Sequence, residues 1–438
     1  MTRKLFGTDG VRGVFGDALT EDLARRLGYA AARHIAGGHP RALIIRDTRE
    51  SGPALEQALA EGISAEGGEV LLGGVLPTPA APLLTVDYGF DLAVVVSASH
   101  NPYQDNGIKF FGGDGYNLSD ETELEIEREL DALGPPTDGG GGEVRELRAA
   151  DEDYLRELQD RFAGLALDDL DVLLDCANGA TSSVAPEIFS RLGANVTALS
   201  AAPDGRNIND GCGSTHVDVL AARVKAGGHA IGFAFDGDGD RVLAADGEGN
   251  VVDGDELLAI VALHQHRQGL LNGGVVVTVM SNYGFHAAME REALDVAVTN
   301  VGDRYVLEEM RRRGWMLGGE QSGHIIDMHF NRTGDGIAAA LLVLEALDGA
   351  PLAERAVMQR LPQRLINVRV RDRGEFEACT AAQQAIAQVD GALAGRGRIL
   401  VRPSGTEPLV RVMVEAPTDA EAEELCRSVA SVVERELG

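Results

Sequence analysis

The stretch Ala230 to Arg241, Ala-Ile-Gly-Phe-Ala-Phe-Asp-Gly-Asp-Gly-Asp-Arg, decides the fold class of this 438-residue chain. Its first six residues form an apolar run that has the length of a strand and can be buried on both faces. Its last six place three carboxylates, separated by single glycines, directly after that run. In parallel sheets, ligands bind where strands end in this way. The stretch therefore predicts an α/β fold with a site at the carboxyl edge of a sheet.

Similar apolar runs recur along the chain. Segments between them carry apolar residues at helical spacing, and Thr20 to Ile35 begins with a threonine cap and an acidic first turn. This alternation of strand and helix patterns is typical of a mostly parallel sheet. The other predicted buried strands are Arg41 to Arg46, Asp91 to Ser97, Asp171 to Asp175 and Val275 to Met280.

The order of these patterns predicts four domains, one more than about 150 residues per domain would give. After the low-complexity tract Gly134 to Glu143, we expect the acidic stretch Ala149 to Phe162 to form a linking helix. We expect Asp255 to cap the helix that opens the third domain. We predict three tandem α/β domains with mixed, mostly parallel sheets and a small C-terminal α+β domain, at residues 1–152, 153–252, 253–362 and 363–438.

The charge of the chain excludes two classes of partner. It has 39 basic and 69 acidic residues, a net charge of −30. This charge repels a phosphate backbone and an anionic membrane surface, so we expect neither nucleic acid nor membrane as a partner. The four cysteines lie far apart without a C-x-x-C pair, which favours reduced thiols. With no signal peptide and no apolar stretch long enough to span a bilayer, we expect a soluble cytoplasmic protein.

The three carboxylates Asp236, Asp238 and Asp240 are candidate metal ligands. Hard oxygen donors of this kind suit Mg²⁺ or Ca²⁺. The spacing is similar to an EF-hand loop, but Arg241 stands where that loop needs glycine and Gly247 where it needs glutamate. An ordinary Asp-Gly turn is the alternative. It is less favoured, because three carboxylates this close repel one another without a cation.

The segment Ser97 to Pro102, Ser-Ala-Ser-His-Asn-Pro, follows the buried strand Asp91 to Ser97 and is a second candidate site. His100 next to Ser99 suggests a serine hydrolase. That interpretation is weak, because neighbouring side chains seldom point at each other and no G-x-S-x-G motif is present. A polar turn closed by Asn-Pro remains the alternative.

Two more loops carry groups that suit a sugar phosphate. Gly318 to His324, Gly-Gly-Glu-Gln-Ser-Gly-His, offers a carboxylate, an amide, a hydroxyl and an imidazole, although a glycine-rich surface loop explains it equally well. Arg402 to Pro408, Arg-Pro-Ser-Gly-Thr-Glu-Pro, followed by Arg411, supplies hydroxyls, backbone N–H groups and guanidinium donors, which together hold a phosphate.

Two basic residues near the start of the chain complete the candidate site. Arg12 lies in the glycine-rich turn Gly7 to Gly13, and Lys109 follows Asn106-Gly-Ile. A solvated turn is the ordinary alternative for both. Lysine occurs at only three positions in the chain, however, so an ammonium group retained near a candidate serine favours a role in proton transfer.

Taken in order, SASHNP, DGDGDR, GEQSGH and RPSGTEP resemble the four loops of the α-D-phosphohexomutases, and each loop falls in a different predicted domain. Gly-Thr-Asp-Gly-Val-Arg-Gly near the start, Val301 to Val306, Asn331 to Ile337 and the amide at Gln321 are similar to the bacterial phosphoglucosamine branch of that family. The resemblance covers the whole chain.

The resemblance implies an isomerase that converts glucosamine 6-phosphate to glucosamine 1-phosphate for amino-sugar nucleotide and cell-wall precursor synthesis. It implies a phosphoserine enzyme, a bound 1,6-bisphosphate intermediate, one Mg²⁺ per subunit and glucosamine 1,6-bisphosphate or a similar bisphosphate as activator. The partner is a small-molecule sugar phosphate, and a homodimer is the candidate assembly.

The same resemblance assigns roles to residues. Ser99 carries the phosphoryl group and shares the metal with Asp236, Asp238 and Asp240. Lys109 and His324 are the candidate general base and acid, and Arg12 and Arg241 stabilise charge near the phosphoserine. The remaining assignments are to substrate binding, with Glu320 and Ser322 on the ring hydroxyls and the distal phosphate on Arg402, Ser404, Gly405, Thr406 and Arg411.

Two rival functions stay open at this point. The first is an enzyme that carries out the same chemistry on glucose or mannose phosphates. It would differ only in the loop Gly318 to His324, the sugar loop. A non-catalytic, metal-dependent binder of sugar phosphates needs the same loops but not the serine.

Overall fold

The computed structural model describes residues 5–7, 9–35, 39–132, 141–355, 357–404 and 407–438, which contain four β-sheets and 13 α-helices. The chain divides into two compact units. The first comprises Met1–Met280 and Asp295–Ala356, and the second comprises Ser281–Leu294 and Val357–Gly438. Residues 134–140 of the low-complexity tract lie outside the described residues.

Sheet A of the first unit has seven strands in the order β1-β2-β6-β5-β3-β4-β7. The strands are β1 Phe6–Gly7, β2 Gly10–Val14, β3 Arg41–Arg46, β4 Glu69–Val75, β5 Leu92–Val96, β6 Asp105–Gly112 and β7 Val144–Glu146. The helices of this part are α1 Glu21–His34, α2 Gly52–Ala65, α3 Ala80–Tyr88 and α4 Asp120–Ala132.

The start of α1 follows the sequence prediction. Thr20 Oγ1 accepts a hydrogen bond from the Leu23 amide at 3.1 Å, which satisfies one of the free N–H groups of the first turn. The apolar face of α1 packs with α2 and the sheet in a core built from residues such as Leu27, Leu59 and Ile44, all fully buried. This packing fixes the sheet whose strands β5 and β6 lead into and out of Ser97 to Pro102, the serine loop.

The linking helix and sheet B follow. Helix α5 spans Ala150–Arg161, which confirms the helix predicted between the first two domains. Sheet B has the order β12-β11-β10-β8-β9. Its elements are β8 Asp171–Asp175, α6 Val184–Arg191, β9 Asn195–Leu199, α7 Val217–Gly227, β10 Ile231–Phe235, β11 Val242–Asp246 and β12 Val251–Val252.

Sheet C has the order β14-β13-β15-β16. Its elements are α8 Gly254–Gln268, β13 Val275–Thr278, β14 Val296–Thr299, α10 Asp303–Arg313, β15 Leu317–Gly319, β16 Ile325–Asp327 and α11 Gly336–Leu347. The prediction that Asp255 caps α8 is wrong. Asp253 is the cap, because its side chain accepts from the Glu256 amide while the Glu256 side chain accepts from the Asp253 amide.

The second unit contains sheet D, in the order β17-β19-β18 with antiparallel pairing throughout. Its elements are α9 Tyr283–Arg291, β17 Gln363–Arg369, α12 Thr380–Leu393, β18 Arg398–Pro403, β19 Leu409–Glu415 and α13 Asp419–Leu437. Helix α9 belongs to this unit through bonds such as that from the Tyr283 amide to Glu415 Oε2, at 2.7 Å.

The α/β class with mixed sheets and a small C-terminal domain is confirmed. In sheets A, B and C, parallel strands form one end of the sheet and antiparallel strands the other. The mixture is therefore more even than expected. Among the described helices, none combines the length and the hydropathy that crossing a membrane requires.

Candidate functional site

The serine loop follows β5, as the sequence predicts, and Ser99 adopts an unusual backbone conformation in it. Its φ is +50°, a left-handed value that a residue with a side chain adopts at a cost. The Ser99 amide donates to Ser97 Oγ at 2.9 Å, and Ser97 Oγ donates to Asp47 Oδ2 at 2.6 Å. Ser97 thus supports the backbone of Ser99. Ser99 is the serine whose hydroxyl faces Asp236 to Arg241, the metal loop.

The metal loop follows β10 and needs both of its glycines. Gly239 has a φ of +71°, and a Cβ at Gly237 would lie 2.6 Å from the carbonyl oxygen of Ser99. The second approach is too close for any side chain, so glycine lets the two loops touch. As a result, Ser99 Oγ donates to Asp236 Oδ2 at 2.5 Å.

Asp236, Asp238 and Asp240 form a buried cluster whose ligand atoms all lie within 4.8 Å of one another. Among the described residues, Asp238 Oδ1 and Asp240 Oδ1 are buried without a hydrogen-bond partner. Burial, and then the charges of Asp240 and Asp238, raise the pKa of Asp236 well above its ordinary value. A divalent cation would offset both costs, and three carboxylates are hard oxygen ligands, so this cluster fits Mg²⁺.

Among the ion pairs of the described residues, Lys109 is the cation that lies closest to this cluster. Its Nζ lies 3.7 Å from Asp238 Oδ2 and 3.6 Å from Asp240 Oδ2. Burial lowers the pKa of Lys109, but the charges of the two aspartates outweigh burial and raise it above its ordinary value. Lys109 is therefore not a solvated surface lysine.

A cavity of about 280 Å³ in the first unit joins these groups to the sugar loop. It brings together eight residues that the sequence singled out: Arg12, Ser99, Lys109, Asp240, Arg241, Glu320, Ser322 and His324. Four further residues line it that the sequence did not single out individually for this site: Asp9, Val301, Gly302 and Asp303.

The sugar loop follows β15 and presents its polar groups to this cavity. His324 Nε2 lies 3.9 Å from Asp240 Oδ2 and 3.9 Å from Asp303 Oδ2, and neither ring nitrogen has a hydrogen-bond partner among the described residues. Glu320 accepts from the Gly302 amide at 3.0 Å, and burial raises its pKa. The imidazole is therefore available for proton transfer.

Gln321 points elsewhere. Its Nε2 donates to Asp253 Oδ2 at 3.2 Å, so the amide binds the cap of α8 and is not among the residues that line the cavity. A methionine there could not donate this bond. Gln321 thus contributes to the shape of the sugar loop.

His100 corrects one expectation. Its Nδ1 lies 3.3 Å from Ser99 Oγ, although neighbouring side chains seldom meet. The left-handed backbone at Ser99 accompanies this contact. Burial, and then the charges of Arg241 and Arg12, lower the pKa of His100 to about 4, so the ring is neutral at neutral pH.

The phosphate loop lies in the second unit, between β18 and β19. Arg402 and Arg411 are direct cross-strand partners and therefore share one face of sheet D. Arg411 Nη2 lies 3.4 Å from Glu407 Oε2, and an anion bound by both arginines would further offset the repulsion between them. Ser404 Oγ accepts from the Glu407 amide at 3.2 Å, and Arg373 donates to the Ser404 carbonyl at 2.7 Å. The predicted residues Gly405 and Thr406 lie outside the described part of the loop.

Comparison with known families gives matches over most of the chain. Four models of phosphoglucomutase/phosphomannomutase match in order: alpha/beta/alpha domain I at 3–135, domain II at 152–249, domain III at 253–364 and the C-terminal domain at 365–432. The serine, metal, sugar and phosphate loops fall one in each match.

Individual relatives agree with these matches. The phosphoglucosamine mutase of Moorella thermoacetica is 53% identical, over 98% of this chain and 99% of its own. A phosphoglucomutase/phosphomannomutase family protein from Burkholderia thailandensis is 24% identical with a TM-score of 0.80, covering 98% of this chain and 97% of its own.

A more distant structure shares the fold. The N-acetylphosphoglucosamine mutase of Aspergillus fumigatus, solved with GlcNAc-6P and magnesium, is 20% identical with a TM-score of 0.69 over 99% of this chain and 96% of its own. The four ordered domain matches and the near full-length identity lead to one conclusion: the chain belongs to the phosphoglucomutase/phosphomannomutase family, the α-D-phosphohexomutases, with the bacterial phosphoglucosamine mutases as its relatives.

Proposed function

We propose that this chain is an isomerase that converts glucosamine 6-phosphate to glucosamine 1-phosphate, with Ser99 as the phosphoryl carrier. The observation that carries the proposal is the contact of Ser99 Oγ with Asp236 Oδ2 at 2.5 Å, at the wall of a cavity that the sugar loop also lines. The identity of 53% to a phosphoglucosamine mutase supports the amino sugar as substrate.

The proposed reaction has two phosphoryl transfers. In the first, the free hydroxyl oxygen of glucosamine 6-phosphate attacks the phosphorus on Ser99, the bond from phosphorus to Ser99 Oγ breaks, and a 1,6-bisphosphate forms. The bisphosphate turns end for end. In the second, Ser99 Oγ attacks the phosphorus at C6 and the C6 oxygen leaves, which regenerates the phosphoserine and releases glucosamine 1-phosphate.

Protons must move in step with the phosphoryl group. The attacking hydroxyl loses a proton and the departing oxygen gains one. Lys109 Nζ lies 3.6 Å and His324 Nε2 lies 3.9 Å from the same oxygen, Asp240 Oδ2. An ammonium group and an imidazole are therefore close together at the cavity. We assign proton transfer to this pair, with Lys109, whose raised pKa keeps it an ammonium, as the proton donor and His324 as the proton acceptor in the first transfer.

Charge is handled by the remaining groups. Asp236, Asp238, Asp240 and the phosphorylated Ser99 would hold one Mg²⁺ per subunit, and this ion supplies charge stabilisation for the phosphoryl group in transfer. Arg12 and Arg241 line the same cavity and add positive charge. Glu320 and Ser322 bind ring hydroxyls, and Arg402, Ser404, Gly405, Thr406 and Arg411 bind the other phosphate.

Four finer points belong to the same proposal. A 1,6-bisphosphate serves as activator, because it can phosphorylate Ser99 when the group is lost. The four domains have the boundaries 1–152, 153–252, 253–362 and 363–438, which the four sheets support. The enzyme works in the cytoplasm. It assembles as a homodimer, and sedimentation equilibrium measures this oligomeric state.

The experiment compares turnover of glucosamine 6-phosphate, glucose 6-phosphate and mannose 6-phosphate in one coupled assay with Mg²⁺. We expect glucosamine 6-phosphate to have the highest kcat/KM. A higher kcat/KM for either hexose phosphate would show that glucosamine 6-phosphate is not the preferred substrate, while the proposed phosphoryl transfer would stand. No turnover of any of them, together with an unphosphorylated Ser99 by intact mass, would favour the non-catalytic binder.

A further inference from the structure

Arg49 is a fully buried arginine that holds the serine loop by its backbone. Its side chain has 0% exposure and pairs through Nε with Asp47 Oδ2 at 2.8 Å. The two terminal nitrogens donate to four carbonyl oxygens of the loop. Nη2 donates to Ser99 and Asn101 at 3.0 Å each, and Nη1 donates to Asp105 at 2.8 Å and to Pro102.

This set of bonds fixes the shape of the loop. A guanidinium presents five N–H donors in one rigid plane. Four loop carbonyls within residues 99–105 therefore have to arrange themselves around that plane. Buried carbonyls need partners, and the guanidinium supplies one to each of these four.

Ser99, the residue of the loop with the left-handed backbone, is hydrogen-bonded through both its amide and its carbonyl. The Ser99 amide is bound by Ser97 Oγ, and the Ser99 carbonyl is bound by Arg49 Nη2 at 3.0 Å and by Asn209 Nδ2 at 2.9 Å. Asp47 connects the two sides, because Oδ2 accepts from both Arg49 Nε and Ser97 Oγ. A left-handed residue persists only where its surroundings determine it in this way.

We propose that Arg49 is a positioning residue for phosphoryl transfer. Its guanidinium holds the Ser99 backbone in the left-handed conformation that brings Oγ to Asp236, and Asp47 orients both the guanidinium and Ser97. Arg49 touches neither substrate nor metal in this account. The inference rests on the proposed assignment of Ser99 as the phosphoryl carrier.

Arg49→Lys tests the proposal. The lysine keeps a cation beside Asp47, but one ammonium nitrogen cannot reach four carbonyls and a carboxylate. Because a small misplacement of a reacting group is costly, we expect kcat with glucosamine 6-phosphate to fall by about 10²-fold. We expect KM to stay within about threefold, because the sugar and phosphate loops are unchanged.

Arg46→Lys is the matched control. Arg46 lies three positions away at the end of β3, and its side chain binds Glu56 at 3.1 Å and the Asp47 carbonyl. Among the described residues, its side chain makes no hydrogen bond to residues 99–105. A merely structural role for Arg49 would lower the melting temperature of Arg49→Lys while leaving kcat per folded molecule near that of Arg46→Lys. That outcome would overturn the proposal, as would a KM that rises as much as kcat falls.

Asn209→Ala provides an independent test if Arg49→Lys does not fold. It removes the bonds to the carbonyls of Ser99 at 2.9 Å and Asn101 at 3.1 Å from the other side. We expect a fall in kcat at nearly constant KM, and an unchanged kcat would contradict the proposed bracing. Ser99→Ala distinguishes a failure of the proposed function from a failure of the proposed role of Arg49. Activity that survives in that variant refutes Ser99 as carrier, whereas a dead Ser99→Ala with a fully active Arg49→Lys refutes only the role of Arg49.

Discussion

Ser99 Oγ lies 2.5 Å from Asp236 Oδ2, although 137 positions separate the two residues in the chain. Each follows a buried strand, Ser99 after β5 of sheet A and Asp236 after β10 of sheet B. The carboxyl ends of these strands meet across Gly237, which has no side chain to keep the loops apart. The hydroxyl that we propose as phosphoryl carrier is thereby placed against the proposed metal ligands.

Ser99→Ala should abolish turnover while sugar-phosphate binding persists, because the substitution removes the phosphoryl carrier and leaves the binding loops. Turnover in the coupled assay and binding of glucosamine 6-phosphate by calorimetry measure the two effects. Ser97→Ala is the control. Ser97 is buried between Asp47 and the Ser99 amide, so this variant should be slowed but active. A dead Ser97→Ala beside an active Ser99→Ala would reverse the assignment.

Asp238→Asn should lower activity sharply and weaken binding of Mg²⁺. The amide keeps the shape of the turn and an acceptor for Thr78, which donates to Asp238 at 2.7 Å, but one of three negative charges is lost. Mg²⁺ titrations of activity and of binding measure both effects. Wild-type activity that survives exhaustive chelation would remove the metal from the mechanism and leave the loop as an ordinary turn.

Arg411→Ala should raise KM strongly and lower kcat less. Arg411 pairs across the strands with Arg402, so we expect both guanidinium groups to bind the phosphate that does not react. Losing one charge-assisted contact costs about 1.5 to 3 kcal/mol, which is about tenfold or more in KM.

Arg435→Ala is the control for Arg411, because it removes an exposed arginine of the same unit whose pair with Glu436 contributes little. Its kinetic constants should match those of the wild type. If Arg411→Ala instead shows an unchanged KM and a collapsed kcat, Arg411 acts on the phosphoryl group in transfer.

Asp335 should make stability depend on pH in an unusual direction. It caps α11, accepts from the Tyr154 hydroxyl at 3.0 Å, and is buried. Burial raises its pKa to about 6, against an ordinary value of 3.8, and outweighs the hydrogen bonds from Ala338 and Tyr154. Since the folded state holds this proton more tightly, the contribution of Asp335 to stability is full below about pH 4 and is lost as pH rises through about 6.

Asp335→Asn preserves an acceptor for the Ala338 amide and removes the titration. The free energy of unfolding of the wild type, measured relative to this variant, should therefore fall by at most about 3 kcal/mol from pH 4 to above pH 6. A difference that is constant over this range, or that grows with pH, would show that the carboxyl group does not hold its proton in the folded protein.

The sequence predicts most of the fold because its strands are short apolar runs with polar ends. The predicted strands at Arg41–Arg46 and Asp171–Asp175 have the observed bounds. The observed cap of α8, Asp253, lies two residues before the predicted one. Asp253 and Asp255 are both aspartates, and the decisive signal is the spacing of Asp253 from Glu256, which forms the reciprocal capping box.

Site residues that lie close together in the sequence can be predicted from it. Those that the fold brings together from distant positions cannot. The three aspartates of the metal loop alternate with glycines over residues 236–240, so their clustering follows from local geometry. Arg49 stands in an ordinary polar turn, and its partners come from residues 99–105, about fifty positions away. Asp303 begins α10 and His324 follows β15, so their separation of 3.9 Å depends on how the fold places these two elements.

The most direct test of the phosphoserine mechanism follows one phosphoryl group. Enzyme that carries radiolabelled phosphate on Ser99 is mixed with unlabelled glucosamine 6-phosphate and Mg²⁺, quenched within a single turnover, and separated into protein, sugar phosphates and inorganic phosphate. We expect the label to leave the protein and to appear first in a glucosamine bisphosphate and then in glucosamine monophosphate. Label that stays on Ser99 while product forms, or that appears as inorganic phosphate, would contradict it.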